Sequence, residues 1–310
     1  MAKTPFPNDP RAYMGFVGYV KILGYTVRAT SADVNLTQEI TKPDVVDSRY
    51  DRSVYQLGPQ LVDGSISFPV VYESVGGTTL FEVLYNLAVD RDAIGEIGQF
   101  DVEVKYASNV GFKYTKCVVN TWKFSVAQSD VVTCDFDIIG EAREAGTLAN
   151  PGVDEVSTTR IVTWNDAFVN MALTGGGEVL SRNIRTFDCS ITNDVERFYS
   201  LNGVLAPQAL AARKRDVTGS ITIMGRHDSL AGQALLNEQN CTETSGINFG
   251  YITAGTGNCV SSTFSVTLPN CVFEIETLSL TNDIFESTVA YHSLPGAGTG
   301  IEDPLSLTNQ

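Results

Sequence analysis

The chain has 310 residues, 43% of them hydrophobic and 18% charged, with a formal net charge of −15. That composition is a folded protein's, and the length accommodates one large or two ordinary domains. The acidic balance excludes tight binding of free nucleic acid, which needs concentrated Lys and Arg, but suits a surface past which DNA must slide without sticking.

Taken in chain order, residues 1–26 read as an N-terminal arm. Met1 to Pro10 is polar and Pro-rich with no long apolar run behind it, so neither a signal peptide nor a membrane span is expected. From Tyr13 to Gly24, aromatic and β-branched residues alternate with Gly, which points to an extended segment packing on a neighbouring subunit. Those glycines have neither the G-x-G-x-x-G nor the Walker A spacing of a phosphate loop.

Residues 27–145 read as a first unit. Ala32 to Thr37 alternates at period two, as a half-buried strand does. Glu39 to Pro59 is polar and punctuated by turn residues, a long loop or projecting hairpin of the kind that usually has a task. Val62 to Val71 is the next strand, with Val62, Gly64, Ile66 and Phe68 on one face and Asp63, Ser65 and Ser67 on the other. A helix is predicted from Thr78 to Asp90, with Leu80, Phe81, Val83, Leu84, Leu87 and Ala88 as its apolar stripe. Strands at Phe100–Tyr106, Phe112–Ala127 and Asp130–Ile139 complete the unit.

Residues 146–182 form a turn-rich linker and lead-in segment, 183–293 a second unit, and 294–310 a flexible tail. The second unit is recognised by recurrence. Val62-Asp63-Gly64-Ser65-Ile66-Ser67 returns as Val217-Thr218-Gly219-Ser220-Ile221-Thr222, 155 positions later (217 less 62). Asn35-Leu36-Thr37 returns as Ser190-Ile191-Thr192 at the same offset. A polar and aromatic loop from Asn193 to Asp216 stands where the first long loop did, and a helix capped by Asp228 or Ser229 follows with Leu230, Ala234 and Leu235 inward.

Chemistry is sparse. The two histidines, His227 and His292, sit in no metal-ligand spacing, and no nucleophile motif occurs, so no catalytic residue, metal or cofactor is assigned and an enzyme is not expected. Cys117, Cys134, Cys189, Cys259 and Cys271 fall in probable strands and read as buried thiols, while Cys241 and Cys259 flank a loop and their pairing stays open. Asp101/Glu103 and Asp135/Asp137 each share one strand face, as glycosidase carboxylates can, but a solvated sheet face looks the same and is the preferred reading.

The order of strand, long loop, strand, helix and further strands, seen twice between Val27 and His292, resembles the tail tube (major tail) proteins of long-tailed bacteriophages in their duplicated form. The resemblance implies an α+β, mainly antiparallel fold: two tandem tail-tube-like β-sandwich or barrel-forming units, each with one packed helix. It further implies homotrimeric, pseudo-hexameric rings stacked into the tail tube of the virion, assembled in the host cytoplasm. Other tail proteins at the baseplate and tail terminator would be partners, with the tape measure protein and viral DNA in the lumen without tight binding and no membrane involved. Candidate lumen-facing residues are then Asp33, Asp63, Asp101, Glu103, Asp135 and Asp137, and candidate inter-ring contacts are Arg49, Arg52, Arg213, Lys214 and Arg215. Asp63 and Ser65 have the neutral counterparts Thr218 and Ser220, so the two halves are expected to line the lumen with unequal charge. A baseplate hub or distal tail protein forming a single ring is the alternative, and a monomeric carbohydrate-binding or enzymatic β protein a more distant one.

Overall fold

The computed structural model describes residues 19–27, 29–41, 56–71, 74–75, 78–91, 96–107, 110–145, 161–172, 184–225, 245–253, 262–274, 279–281, 284–294 and 306–307. The first strands are β1 (Tyr19–Ile22), β2 (Tyr25–Val27), β3 (Ser31–Thr41) and β4 (Gln56–Pro69), and the short β5 (Ser74–Val75) and β6 (Thr78–Thr79) lead into helix α1 (Leu80–Val89). Then come β7 (Phe100–Ala107), β8 (Val110–Ala127), β9 (Thr133–Gly140), β10 (Ala142–Ala145) and β11 (Ala167–Ala172). The chain continues through β12 (Ile184–Thr192), β13 (Val195–Phe198), β14 (Ala209–Ala212), β15 (Asp216–Gly225) and β16 (Ser245–Thr253). It ends with β17 (Ser262–Phe273), β18 (Ser279–Thr281), β19 (Ile284–Leu294) and β20 (Ser306–Leu307).

Period-two alternation forms these strands because one face is buried. In β4, Val62 and Ile66 are fully buried and Phe68 nearly so, while Asp63 and Ser65 are exposed. Gly64, half-buried, lies against β3: a Cβ there would come within 2.7 Å of the Val34 side chain. The same logic turns Phe187, Cys189 and Ile191 of β12 inward, and Val217, Ile221 and Ile223 of β15.

Strand β8 organises the molecule. Its first half pairs with β7 on one side and β10 on the other. At Lys116 the backbone enters the left-handed region (φ 49°), and the register with β9 shifts between Val119 and Thr121. Beyond this irregularity β8 has new neighbours, β9 from Val118 onward and β12 through Thr121–Ala127. The result is one path of hydrogen-bonded strands, β3-β4-β9-β8-β12-β15-β19-β17-β16-β11, with every pairing along it antiparallel.

This corrects the expected architecture of two tandem sandwich or barrel-forming units, each with its own helix. The described strands form a single 16-stranded sheet with two small two-stranded sheets beside it, and they do not close into a barrel. The β8–β12 pairing, with Phe124 opposite Cys189 and Trp122 opposite Ile191, fuses what the sequence divides. One helix, α1, is present among the described residues, and the stretch predicted to hold a second lies outside them. The core is correspondingly shared. Phe81 of α1 packs on Trp122 and Phe124 of β8 and also on Phe264 of β17, with ring centroids 5.0, 5.7 and 4.8 Å away. Alternation tells a strand which face to bury but not which neighbour to take, so the joint was invisible in the sequence.

Candidate functional site: an acidic sheet face and its rim

The face of the sheet opposite the core is polar from strand to strand. Reading across the register, Asp33 stands opposite Ser65, Ser65 opposite Asp137, Asp137 opposite Thr121, Thr121 opposite Thr192 and Thr192 opposite Asp216. The neighbouring row runs Ser67, Asp135, Lys123, Ser190, Thr218 and His292. Four predicted residues, Asp33, Asp63, Asp135 and Asp137, therefore gather on three adjacent strands of one face. Partial desolvation, reinforced by the like charge of Asp135 and opposed by a hydrogen bond from Thr121, raises the Asp137 carboxyl above the ordinary carboxylate range.

Asp101 and Glu103 do not join that group. They sit on β7, in the branch that β8 carries before Lys116, and are matched by lysines. Lys113 Nζ lies 2.8 Å from Asp101, and Glu103 stands opposite both Lys21 and Lys113. Together these residues line an open cleft of about 610 Å³.

Two acidic residues on the polar face were missed by sequence reasoning. Asp188 accepts a hydrogen bond from the Ser220 hydroxyl, and Asp216 is exposed at the start of β15. The signal for Asp188 was present, since it lies 155 positions after Asp33 (188 less 33). The unequal charge at Asp63 and Thr218 is thus partly evened out by acids elsewhere in the second half.

At one end of this face the segment after β12 folds back over the first half. Asn193 is fully buried, and its amide nitrogen donates to the carbonyls of Ala88, 2.9 Å away, and Val119, 3.1 Å away. Arg215 donates to the Val89 carbonyl, so both residues satisfy carbonyls at the C-terminus of α1 that have no partner within the helix. Strands β13 and β14 pair as a separate flap whose Leu210 buries against Ile97, Val118 and Ile139, and whose Arg197 pairs with Asp63. Arg213 is held by Glu196, with Nε 2.8 Å from the carboxylate, while Lys214 is exposed. Arg49, Arg52, His227, Cys241 and Cys259 lie outside the described residues. Among the described residues no three His, Cys, Asp or Glu side chains gather to hold a metal.

A long amphipathic sheet with an acidic face is the geometry of a wall. The family model for "Phage tail tube protein" matches residues 37–270, most of the chain. The chain belongs to the phage tail tube protein family. No individual curated protein matches it. This tail tube protein is a structural, non-catalytic component of the phage tail, and family membership implies contact with other tail components. Its polar face, flap and open sheet edges are where such contacts have to be sought. At the edges, among the described residues, β3 pairs only with β4 and β18 only with β19.

Proposed function

We propose that copies of this chain join edge to edge into closed rings, three copies to a ring, and that the rings stack from the baseplate toward the tail terminator. The sheet then continues from copy to copy, β3 of one beside β18 of the next, and the acidic face lines a channel for viral DNA and the tape measure protein. Assembly takes place in the host cytoplasm before incorporation into the virion.

The observation that carries this reading is the sidedness of the single sheet. One face is sealed by α1 and the aromatic core, and the other presents Asp33, Asp135, Asp137 and Asp216 in adjacent rows. A wall of like charge repels the phosphate backbone and lets it pass. Asp63 belongs to the same face, although its pairing with Arg197 neutralises it at the rim. Asp101 and Glu103 line the channel only if the β7 branch also turns inward, and their lysine partners make them weaker contributors. The loop with Arg213, Lys214 and Arg215, together with Arg49 and Arg52, is the proposed contact between rings.

Negative-stain microscopy and sedimentation of the purified chain test the reading. Hollow tubes or stacked rings are expected. Single rings that never stack would transfer the protein to a hub-like role, and dispersed monomers would defeat the proposal.

A further inference from the structure

The sequence holds one Asn-Gly pair, Asn202–Gly203, and the fold places it in the turn between β13 and β14. Every residue from Phe198 to Val204 is exposed. The turn is nonetheless fixed. The Tyr199 hydroxyl donates to the Gln60 carbonyl, 3.1 Å away, and the Gln60 amide to the Leu205 carbonyl, 2.9 Å away. The Gln208 amide donates to the Phe198 carbonyl at 2.7 Å, and Gly203 takes the left-handed φ of 79° that a side chain would resist.

Within this turn the Val204 amide donates to Asn202 Oδ1 at 3.0 Å. The bond folds the Asn202 side chain back along its own backbone, over the Gly203 peptide. A succinimide ring closes when the Gly203 nitrogen bonds to Asn202 Cγ. Glycine leaves that nitrogen unhindered, and no atom lies within 4 Å of where a Gly203 Cβ would stand. Negative charge developing on Oδ1 during the addition meets the Val204 N–H, already placed at the distance an oxyanion donor needs.

Other asparagines lack this combination. Asn35, Asn120, Asn170 and Asn248 lie in strands, where the ladder holds the backbone extended and a residue larger than glycine follows. Asn193 is fully buried, with its amide nitrogen engaged by the Ala88 and Val119 carbonyls.

We infer that Asn202–Gly203 is a self-modification site, at which the folded turn promotes conversion of Asn202 to aspartyl and isoaspartyl forms. The Gly203 N–H gives its proton to hydroxide, the nitrogen bonds to Cγ, and the Cγ–Nδ2 bond breaks as the side-chain nitrogen takes up a proton and leaves as ammonia. Water then opens the succinimide at either carbonyl, so the balance is one water consumed and one ammonia released, with no oxidant or cofactor. Each product adds a negative charge to a chain already at −15. The isoaspartyl form also lengthens the backbone by one carbon, which breaks the spacing that fastens Tyr199 and Leu205 to Gln60. The conversion belongs to the single chain and does not rest on the tube reading.

The test incubates the full chain at mildly alkaline pH, folded and in urea, with peptide mapping by mass spectrometry over days. The Asn202 peptide should show the amide-to-acid mass change before any other asparagine peptide, and should split into two acidic forms on chromatography. Val204→Pro removes the N–H that faces Oδ1 and should slow the folded reaction about tenfold or more, the scale of one hydrogen bond to a charged oxygen. In urea, where the turn is gone, the two chains should react alike. The unaltered chain gives a second reading: Asn202 should convert faster folded than unfolded. Equal rates in the two folded chains, the same gap in urea, faster conversion in urea, or another asparagine converting first would each overturn the inference.

Discussion

Phe81→Ala distinguishes one shared core from two separate ones. The ring is 2% exposed and touches β8 through Trp122 and Phe124 and β17 through Phe264. Removing a buried phenylalanine costs about 3–5 kcal/mol, because the transfer free energy is lost and the cavity only partly collapses. With a urea dependence on the order of 3 kcal/mol per molar, the unfolding midpoint should fall by about 1–1.7 M. Since Phe264 lies in the second half and Trp122 in the first, the whole sheet should respond. Urea unfolding followed by circular dichroism should give one transition that moves as a unit. Hydrogen exchange read by mass spectrometry should show β8 and β17 amides losing protection together. Two resolved transitions, or a loss of protection confined to first-half peptides, would refute the shared core.

Three further outcomes follow from the same structure. Asn193→Ala should lower stability by about 2–3 kcal/mol in the same urea assay, because it strands the carbonyls of Ala88 and Val119, with some relief from removing its own unpartnered side-chain oxygen. Asp137→Asn should stabilise the chain at neutral pH: with the folded pKa raised, ionisation penalises the folded state above that pKa, and the penalty disappears as pH falls below the unfolded value of about 3.9. A pH series of melts on both chains checks this, and a larger difference in acid than at neutrality would contradict it. Burial pushes the thiols of Cys117, Cys189 and Cys271 up to about 12, so peptide mapping after maleimide treatment at pH 8 should find them unmodified in the folded chain and modified once it unfolds.

Strand identity was legible where burial imposed alternation. Val62 and Ile66 against Asp63 and Ser65, or Trp122 and Phe124 against Lys123 and Ser125, follow from a sheet with one wet face. The acidic face was half legible for the same reason: Asp33, Asp63, Asp135 and Asp137 sit at outward positions of their strands. Partner choice was not legible. The change of neighbours along β8 comes at Lys116, in a left-handed conformation with no glycine at that position to mark it. The flap was read as loop because Val195–Phe198 and Ala209–Ala212 are short and lack alternation, their order coming from contacts with Ile97, Val118 and Ile139. Asp101 and Glu103 were grouped with the other acids because a sequence shows a strand face without showing which branch of a sheet bears it.

The comparison of β3 with β12 connects the fold to assembly. Asn35 pairs with Asp63 as Ser190 pairs with Thr218, so the two strands sit in the same register on their partners. Their outward residues are alike as well, Asp33, Asn35 and Thr37 against Asp188, Ser190 and Thr192. Yet β12 is enclosed between β8 and β15, whereas among the described residues β3 pairs with β4 alone, and its Val34 carbonyl accepts from the Tyr106 and Tyr114 hydroxyls. Side-chain polarity on these strands is set by the sheet face, which both share, and not by the edge, where they differ. What encloses β12 is that the same chain supplies β8 as its neighbour. A long open edge invites pairing with another chain, and β3 carries charged Asp33 and Glu39, which discourage indiscriminate partners without blocking the backbone. Under the proposed edge-to-edge assembly, a strand of a second copy would stand beside β3 where β8 stands beside β12, next to the Tyr106 and Tyr114 hydroxyls that engage the Val34 carbonyl.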